Sequence, residues 1–357
     1  EHKEDYMKAF SEFFDRGIFI GGPDVDDFEK NMADYLHAEY VVGCGNGTEA
    51  LELAMRASSI GQGDHVITTA NTYYATARAI HNVGAVPVFC DVDEDGLIAV
   101  DKIESLIDNK TRAVLPVHLY GISADLDEIR RICDKYGILC IEDCAHAFGS
   151  SYHHHKIGSH SYCACFSLYP TKNLGAFGDA GMVASNSGEL AARMHELRYY
   201  TSDPDRVIFH KDGMHTRLDP LQACLLNTSL KYVDTWNSIR RKHCDYYIGQ
   251  FKGRVPYIKK MENRDVIPYV FPIIADDQQQ FYDYLMNNGI CPQIHYKPDL
   301  HRIDHLLYWD RSEQKDEFRL PMTEYLNSHV VSIPVSPTVT DDEIRYIADV
   351  VLQYFGE

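Results

Sequence analysis

Along the first half of the chain, short apolar runs rich in β-branched residues alternate with segments whose apolar positions recur at helical spacing. Tyr40 to Cys44 reads as a buried strand, and Thr48 to Arg56 as the helix after it. The pattern repeats as a strand over Asp64 to Thr69, a helix over Tyr74 to His81, and strands over Val86 to Asp91 and Ala113 to His118. A helix over Leu126 to Tyr136 then precedes the strand Ile138 to Ile141. Strands alternating with helices of about 10–15 residues predict right-handed βαβ units and a mainly parallel sheet. Such a sheet binds ligands beyond the carboxyl ends of its strands. After about residue 215 the rhythm changes. Leu218 to Asn237 reads as one long amphipathic helix running on towards Tyr247, followed by strands at Val266 to Ile274 and His329 to Ile333. Thr340, with Glu343 three residues on, predicts a capped final helix. The expected fold class is α/β, with a large mainly parallel sheet domain over residues 1–240 and a smaller C-terminal α/β domain over 241–357. The first 30 or so residues are expected to pack with the smaller domain.

Composition narrows the class of partner. The 357 residues are 45% hydrophobic and 24% charged, ordinary proportions for a globular chain with a substantial core. No apolar run of about 18 residues occurs, so no membrane span is expected. The chain opens on Glu1-His2-Lys3-Glu4-Asp5, without the apolar core of a signal peptide, and its cysteine usage leads to an expected cytoplasmic location. A net charge of −19 disfavours nucleic acid and anionic lipid as partners. It does not disfavour a small anion held by local donors, since the global field is screened within about 8–10 Å. Most of the 10 cysteines sit in or beside apolar runs, where Cys acts as a small hydrophobe. Cys163 and Cys165 are expected on one face of a strand. No Cys-x-x-Cys pair occurs, and Cys140, Cys144, Cys163 and Cys165 lack zinc-site spacing, so no metal is expected. His153-His154-His155 reads as a loop between Tyr152 and Gly158.

Three features carry chemistry. Lys172 lies in Cys165-Phe166-Ser167-Leu168-Tyr169-Pro170-Thr171-Lys172-Asn173-Leu174-Gly175, just beyond an apolar strand. Asp143 closes a separate apolar strand, and Gly45-Asn46-Gly47-Thr48 is a Gly-rich turn between a strand and a helix. A pyridoxal phosphate (PLP) enzyme needs these three parts. An amine holds the cofactor as a Schiff base, a carboxylate keeps the pyridine nitrogen protonated, and a strand-to-helix turn holds the phosphate. Alone, a Lys after a strand is commonly a solvated charge, and an Asp there a helix cap. Together, in this order and at strand ends, they favour the cofactor reading.

Five segments resemble the DegT-type (StrS-like) sugar aminotransferases. They are Gly45 to Leu51, Pro116 to Gly121, Ile141 to Ala147, the Lys172 segment, and Arg217-Leu218-Asp219-Pro220-Leu221-Gln222-Ala223. The likeness runs from Gly17 to Pro23 through Ile333-Pro334 and Thr340-Asp341. It implies the aspartate-aminotransferase-like PLP fold type I and a homodimer with its active sites at the interface. It implies that Lys172 forms the Schiff base and shuttles a proton, and that Asp143 pairs with the pyridinium. His146 falls where the family carries Gln or His near the phenolic oxygen, and Tyr73 where an aromatic stacks on the ring. The turn at Gly47, the backbone N–H groups of Thr48 and Glu49, and the hydroxyls of Thr48 and Ser167 would hold the phosphate. One departure stands out: the family's usual Asn, reaching the phosphate from the partner subunit, is His215 here. Such a contact would become pH-sensitive near the ordinary imidazole pKa of about 6.5.

The resemblance further implies ping-pong transamination. L-glutamate would leave as 2-oxoglutarate, forming pyridoxamine phosphate, which would aminate a nucleotide-linked keto sugar. Lys172 argues against the branch of the family that carries His there and dehydrates sugars. The segment Tyr169 to Gly181 is closer in form to members acting on 3-keto sugars, so a dTDP-linked 3-amino-3,6-dideoxyhexose is the expected product. His295-Tyr296-Lys297-Pro298 and Leu300-His301 resemble the segment that approaches the sugar nucleotide. They make His295, Tyr296 and His301 candidate substrate residues, with packing as the open alternative. A 4-keto sugar or a cyclitol such as an inosose remains an alternative substrate. A non-enzymatic PLP-binding regulator is a further alternative, but it would need an effector module, and no basic recognition helix is evident.

Overall fold

Period-two alternation in the strands sorts side chains onto two faces of one sheet. In the computed structural model, which describes residues 2–203, 208–303, 306 and 319–356, the chain opens with α1 (Lys3–Arg16) and α2 (Pro23–Leu36). Then follow β1 (Tyr40–Cys44), α3 (Gly47–Ala57), β2 (His65–Thr69), α4 (Tyr74–Asn82), β3 (Val86–Cys90), the short α5 (Val100–Ile103), β4 (Thr111–Leu115), α6 (Leu126–Tyr136) and β5 (Leu139–Asp143). A hairpin of β6 (Ser151–Tyr152) and β7 (His155–Lys156) leads to β8 (Cys163–Ser167), β9 (Gly181–Ser185) and α7 (Gly188–Leu197). The rest comprises β10 (Thr201–Asp203), β11 (Ile208–Phe209), α8 (Pro220–Leu230), α9 (Val233–Phe251), β12 (Phe271–Ile274), α10 (Gln278–Asn287), α11 (Pro321–His329), β13 (Val330–Ile333) and α12 (Asp341–Tyr354).

Seven strands form one sheet in the order β1-β9-β8-β5-β4-β2-β3. Only β9 runs against its neighbours in this sheet, and the other pairings are parallel. The carboxyl ends of β1, β5 and β8 therefore meet at one edge. Val41, Ala164, Phe166 and Met182 pack with Phe28 and Leu36 of α2 and Leu226 of α8. The alternate residues Val42, Cys44, Cys163, Cys165 and Val183 pack with Leu51, Ala54 and Met55 of α3. Cys163 and Cys165 thus share a face, as expected. All ten cysteines are free thiols, and only Cys291 is exposed. A separate antiparallel pair, β12 and β13, packs through β13 on α10, and α12 lies against α10 and α9 near the C-terminus. α1 and α2 lie against α8, and α2 also against β1. Among the described residues no helix is long and apolar enough to cross a membrane.

Three elements differ from expectation. Leu218 to Asn237 is not one helix: α8 ends at Leu230 and α9 starts at Val233. α8 buries Ala223 and Leu226 beneath α2, whereas α9 buries Cys244, Tyr247 and Phe251 against β12. One straight rod would have to serve both layers. The strand expected over Val266 to Ile274 shrinks to Phe271–Ile274, because Pro268 has no N–H to donate and Tyr269 N–H turns instead to the Tyr120 carbonyl at 3.0 Å. The histidine run is a tight hairpin rather than a loop, with His153 and His154 at φ 48° and 67° between β6 and β7.

The last helix begins as expected. Thr340 Oγ1 accepts from Glu343 N–H at 3.3 Å, and the Glu343 carboxylate accepts from Thr340 N–H at 2.7 Å. Thr340→Ala should lower stability by about 1 kcal/mol. A urea midpoint unchanged from wild type would show that this cap contributes nothing.

Candidate active site

The site is built on the end of β5, near the centre of the sheet. Asp143 N–H donates to the Pro116 carbonyl at 2.9 Å, its own carbonyl accepts from His118 N–H at 3.0 Å, and Cys144 N–H donates to Cys165 O at 2.8 Å. The backbone is thus pinned from both sides. The carboxylate is 5% exposed and accepts from the Thr76 hydroxyl at 2.8 Å and from Ala145 N–H at 3.1 Å. Burial pushes its pKa up against these bonds and the opposing pull of Lys172.

Lys172 sits in the loop after β8, with its N–H donating to Tyr169 O at 2.8 Å. Gly175 keeps that loop tight, since a Cβ there would lie 2.5 Å from the Pro170 carbonyl oxygen. The Lys172 ammonium lies 4.5 Å from the centroid of the Tyr269 ring. Burial lowers its pKa to about 8, opposed by the charge of Asp143.

Between β1 and α3, Asn46 caps the helix by accepting from Glu49 N–H at 2.9 Å. The Glu49 N–H, expected among the anion donors, is therefore engaged. Those of Gly47 and Thr48 remain at the open end without an acceptor among the described residues. The Glu49 carboxylate turns to the Thr216 hydroxyl, which in turn accepts from Gly45 N–H at 3.0 Å. A Cβ on Gly47 would lie 2.6 Å from Ser167 Cβ, so the close approach of this turn to β8 requires glycine.

His146 is buried and held neutral, its pKa pushed well below the usual range by burial and by Lys172. Its Nδ1 accepts from Tyr120 N–H at 3.4 Å, which leaves the proton on Nε2, facing the Tyr296 hydroxyl at 2.7 Å. Tyr73 is 61% exposed, with its ring 5.5 Å from that of Tyr296.

These groups line one cavity of about 650 Å³. Gly47, Thr48, Glu49, Tyr73, Asp143, His146, Ser167, Lys172, His295 and Tyr296 all reach its wall. His295 does so with its Nδ1 engaged by Ser332 Oγ at 2.9 Å. Two candidates lie elsewhere. His215 is exposed beside Arg217 and Tyr200. His301 is buried against Glu324, 3.1 Å away, in a cluster with Arg302 and Arg319. Thr76, Tyr120, Tyr269 and Asn46 were not singled out in the sequence. Only Asn46 had a local signal, as an Asx residue at a strand-to-helix junction.

A lysine and a buried carboxylate from strand ends of a mainly parallel sheet, beside an open helix N-terminus, define the PLP fold type I arrangement. The chain belongs to the DegT/DnrJ/EryC1/StrS aminotransferase family, whose profile matches residues 1–352; aminotransferases of this family use PLP. It is 37% identical over 355 residues to dTDP-3-amino-3,6-dideoxy-alpha-D-galactopyranose transaminase of Aneurinibacillus thermoaerophilus, covering 99% of this chain and 96% of that protein. It is 33% identical over 358 residues to a pleiotropic regulatory protein of Geobacillus stearothermophilus, covering 99% and 95%. The X-ray structure of DesV from S. venezuelae, in complex with a ketimine intermediate, superposes with a TM-score of 0.92 at 31% identity over 100% of this chain and 95% of that one. NtdA from Bacillus subtilis with bound cofactor PMP gives 0.89 at 28% identity, covering 99% and 82%.

The depressed pKa of Lys172 has a stability signature. Between about 8 and the ordinary 10.5, the unfolded chain holds a proton at this residue that the folded chain has released. Folding therefore becomes more favourable as pH rises through that window. Cofactor-free Lys172→Met should be more stable than wild type at pH 7, with the advantage shrinking towards pH 10. Denaturant titrations with a pH-independent difference would refute the assigned burial of this ammonium.

Proposed function

We propose that this aminotransferase holds PLP in the cavity described and moves an amino group from L-glutamate to the 3-keto group of a nucleotide-linked 6-deoxyhexose. The observation that carries the reading is the convergence of Lys172, Asp143 and the Gly47–Thr48 turn on one cavity, each from a strand end. The residues fit the cofactor. Asp143 is buried, and among the described residues no cation makes an ion pair with it, which is the environment a protonated ring nitrogen would complete. The cradle formed by Gly47 and Ser167 would be filled by any larger residue at Gly47.

When bound, the cofactor supplies an aldehyde that takes up amines and a ring that accepts an electron pair. Asp143 would hold a proton at the ring nitrogen. The N–H groups of Gly47 and Thr48, with the Thr48 and Ser167 hydroxyls, would bind the phosphate where the helix dipole favours a dianion. Tyr73, exposed at the cavity wall, would offer its ring to the cofactor. Lys172, with a pKa of about 8, keeps a neutral fraction at physiological pH. It can take a proton from the substrate carbon and return it. The exposed His215 is available to a second copy of the chain, as a homodimer with shared sites requires.

The names of relatives support C3 as the site of amination: besides the transaminase above, a 34% identical protein is dTDP-3-amino-3,4,6-trideoxy-alpha-D-glucose transaminase of Streptomyces venezuelae. The regulatory name of one relative favours a sensor as the second reading. A binding-only protein has little use for a buried carboxylate and a base of lowered pKa facing one cavity.

After incubation with PLP and borohydride reduction, the peptide containing Lys172 should carry the cofactor's mass, and Lys172→Ala should not. L-glutamate should release 2-oxoglutarate in an amount matching bound cofactor. A dTDP-linked 3-keto-6-deoxyhexose should then be aminated roughly tenfold or more faster than its 4-keto isomer, a difference of at least about 1.4 kcal/mol in barrier. Preference for the 4-keto isomer would move the chemistry to C4, and an unlabelled Lys172 would remove the cofactor assignment.

A further inference from the structure

α9 carries a buried guanidinium with no ion pair among the described residues. Arg240 is 5% exposed. Among the described residues it makes a single hydrogen bond, from Nη1 to the Tyr269 carbonyl at 3.5 Å, and no ion pair. Its Nε is buried without an acceptor. The adjacent Arg241 shows the structural alternative. It grips Asp245 Oδ1 with Nε and Nη2 at 2.9 and 2.6 Å and donates to the carbonyls of Met261 and Asn263. Burial lowers the Arg240 pKa to about 10, the mark of a guanidinium that lacks a counter-charge.

Arg240 lines a second cavity, of about 850 Å³, which shares Thr171, Lys172, Tyr269 and Gln293 with the first. Tyr269 joins the two cations: its carbonyl meets Arg240, and its ring lies 4.5 Å from the Lys172 ammonium. The hydroxyls of Ser332, Ser336 and Thr338 add polar groups to the wall. Among the described residues no Asp or Glu lines this cavity, in a chain whose net charge is −19. A buried, unpaired guanidinium in an acid-free cavity beside the reactive lysine is a site awaiting an anion.

We propose that Arg240 is the carboxylate receptor for the amino donor, in a subsite adjoining Lys172. The assignment rests on the aminotransferase reading above and names the group that recognises the donor. A guanidinium presents a planar fork that matches a carboxylate. In an amino acid, the α-carboxylate is bonded to the very carbon that carries the amine, so it must come to rest close to the lysine. The diphosphate of a nucleotide sugar is separated from the aminated carbon by part of the hexose ring, which suits it to a more distant part of the site.

Glutarate, which has two carboxylates and no amine, isolates this step from the chemistry. Calorimetric titration into PLP-loaded wild type should show binding. In R240Q the affinity should fall roughly tenfold or more, the scale of a lost charge-assisted hydrogen bond. PLP uptake, read by absorbance, should be unchanged. R240K keeps the charge without the fork and should fall between the two; it carries the test alone if R240Q does not fold. In turnover, R240Q should raise KM for L-glutamate and leave KM for the keto sugar unchanged. Equal glutarate affinity in wild type and variants that all take up PLP would overturn the subsite alone. A loss of dTDP affinity with glutarate binding intact would assign Arg240 to the nucleotide, also overturning it. Failure of wild type to take up PLP would overturn the underlying aminotransferase reading and the subsite with it.

Discussion

A carboxylate kept out of water is the constraint on which this site depends. Burying Asp143 at the end of a central strand, with no ion pair to it among the described residues, is costly, since the effective penalty for burying an ion is several kcal/mol even after relaxation. Thr76 and the Ala145 N–H offset part of that cost. The same burial acts in opposite directions on acids and bases. It raises Asp143, lowers Lys172 and keeps His146 neutral. One cavity thus presents a carboxylate that seeks a cationic partner, an amine that is partly deprotonated near physiological pH, and an imidazole with a defined tautomer.

The precision of that arrangement comes from the sheet. Asp143 ends a strand with neighbours on both sides, and successive residues of a strand face opposite ways. Glu142 therefore points to the reverse face, where His118, with its Nδ1 accepting from Ala124 N–H at 3.0 Å, donates through Nε2 to Glu142 at 2.7 Å. That fully buried pair braces the strand behind Asp143. In front, the Thr72 and Thr76 hydroxyls lie 2.9 Å apart, linking α4 to the carboxylate. At the cavity wall, away from this bracing, Tyr73 and Tyr169 remain 61% and 51% exposed.

Much of the site is legible in the sequence because its main groups follow apolar runs bounded by turn residues. Lys172, Asp143 and the Gly47–Thr48 turn need only the rule that ligands gather at strand carboxyl ends. The shared face of Cys163 and Cys165 likewise follows from the strand period alone. What is not legible depends on register or on contacts distant in the chain. The reversal of β9 follows from the connection at residues 168–180, which is spent on the lysine loop and contains no helix to carry a parallel crossover. The clamp by Thr76 needs the docking of α4, 67 residues from Asp143. The tautomer of His146 depends on the backbone of Tyr120, and the engagement of His301 on Glu324 in another helix. The break between α8 and α9 reflects two layers that one straight helix could not serve.

The ionisation of the ring nitrogen tests the central claim most directly. The protein would be loaded with PLP labelled with ¹⁵N in the pyridine ring, and the nitrogen's chemical shift followed with pH in wild type and Asp143→Asn. Protonation that persists through neutral pH in wild type, and is lost in the variant, is the predicted result. An unprotonated nitrogen in wild type, or one indifferent to the substitution, would contradict the role given to this buried carboxylate.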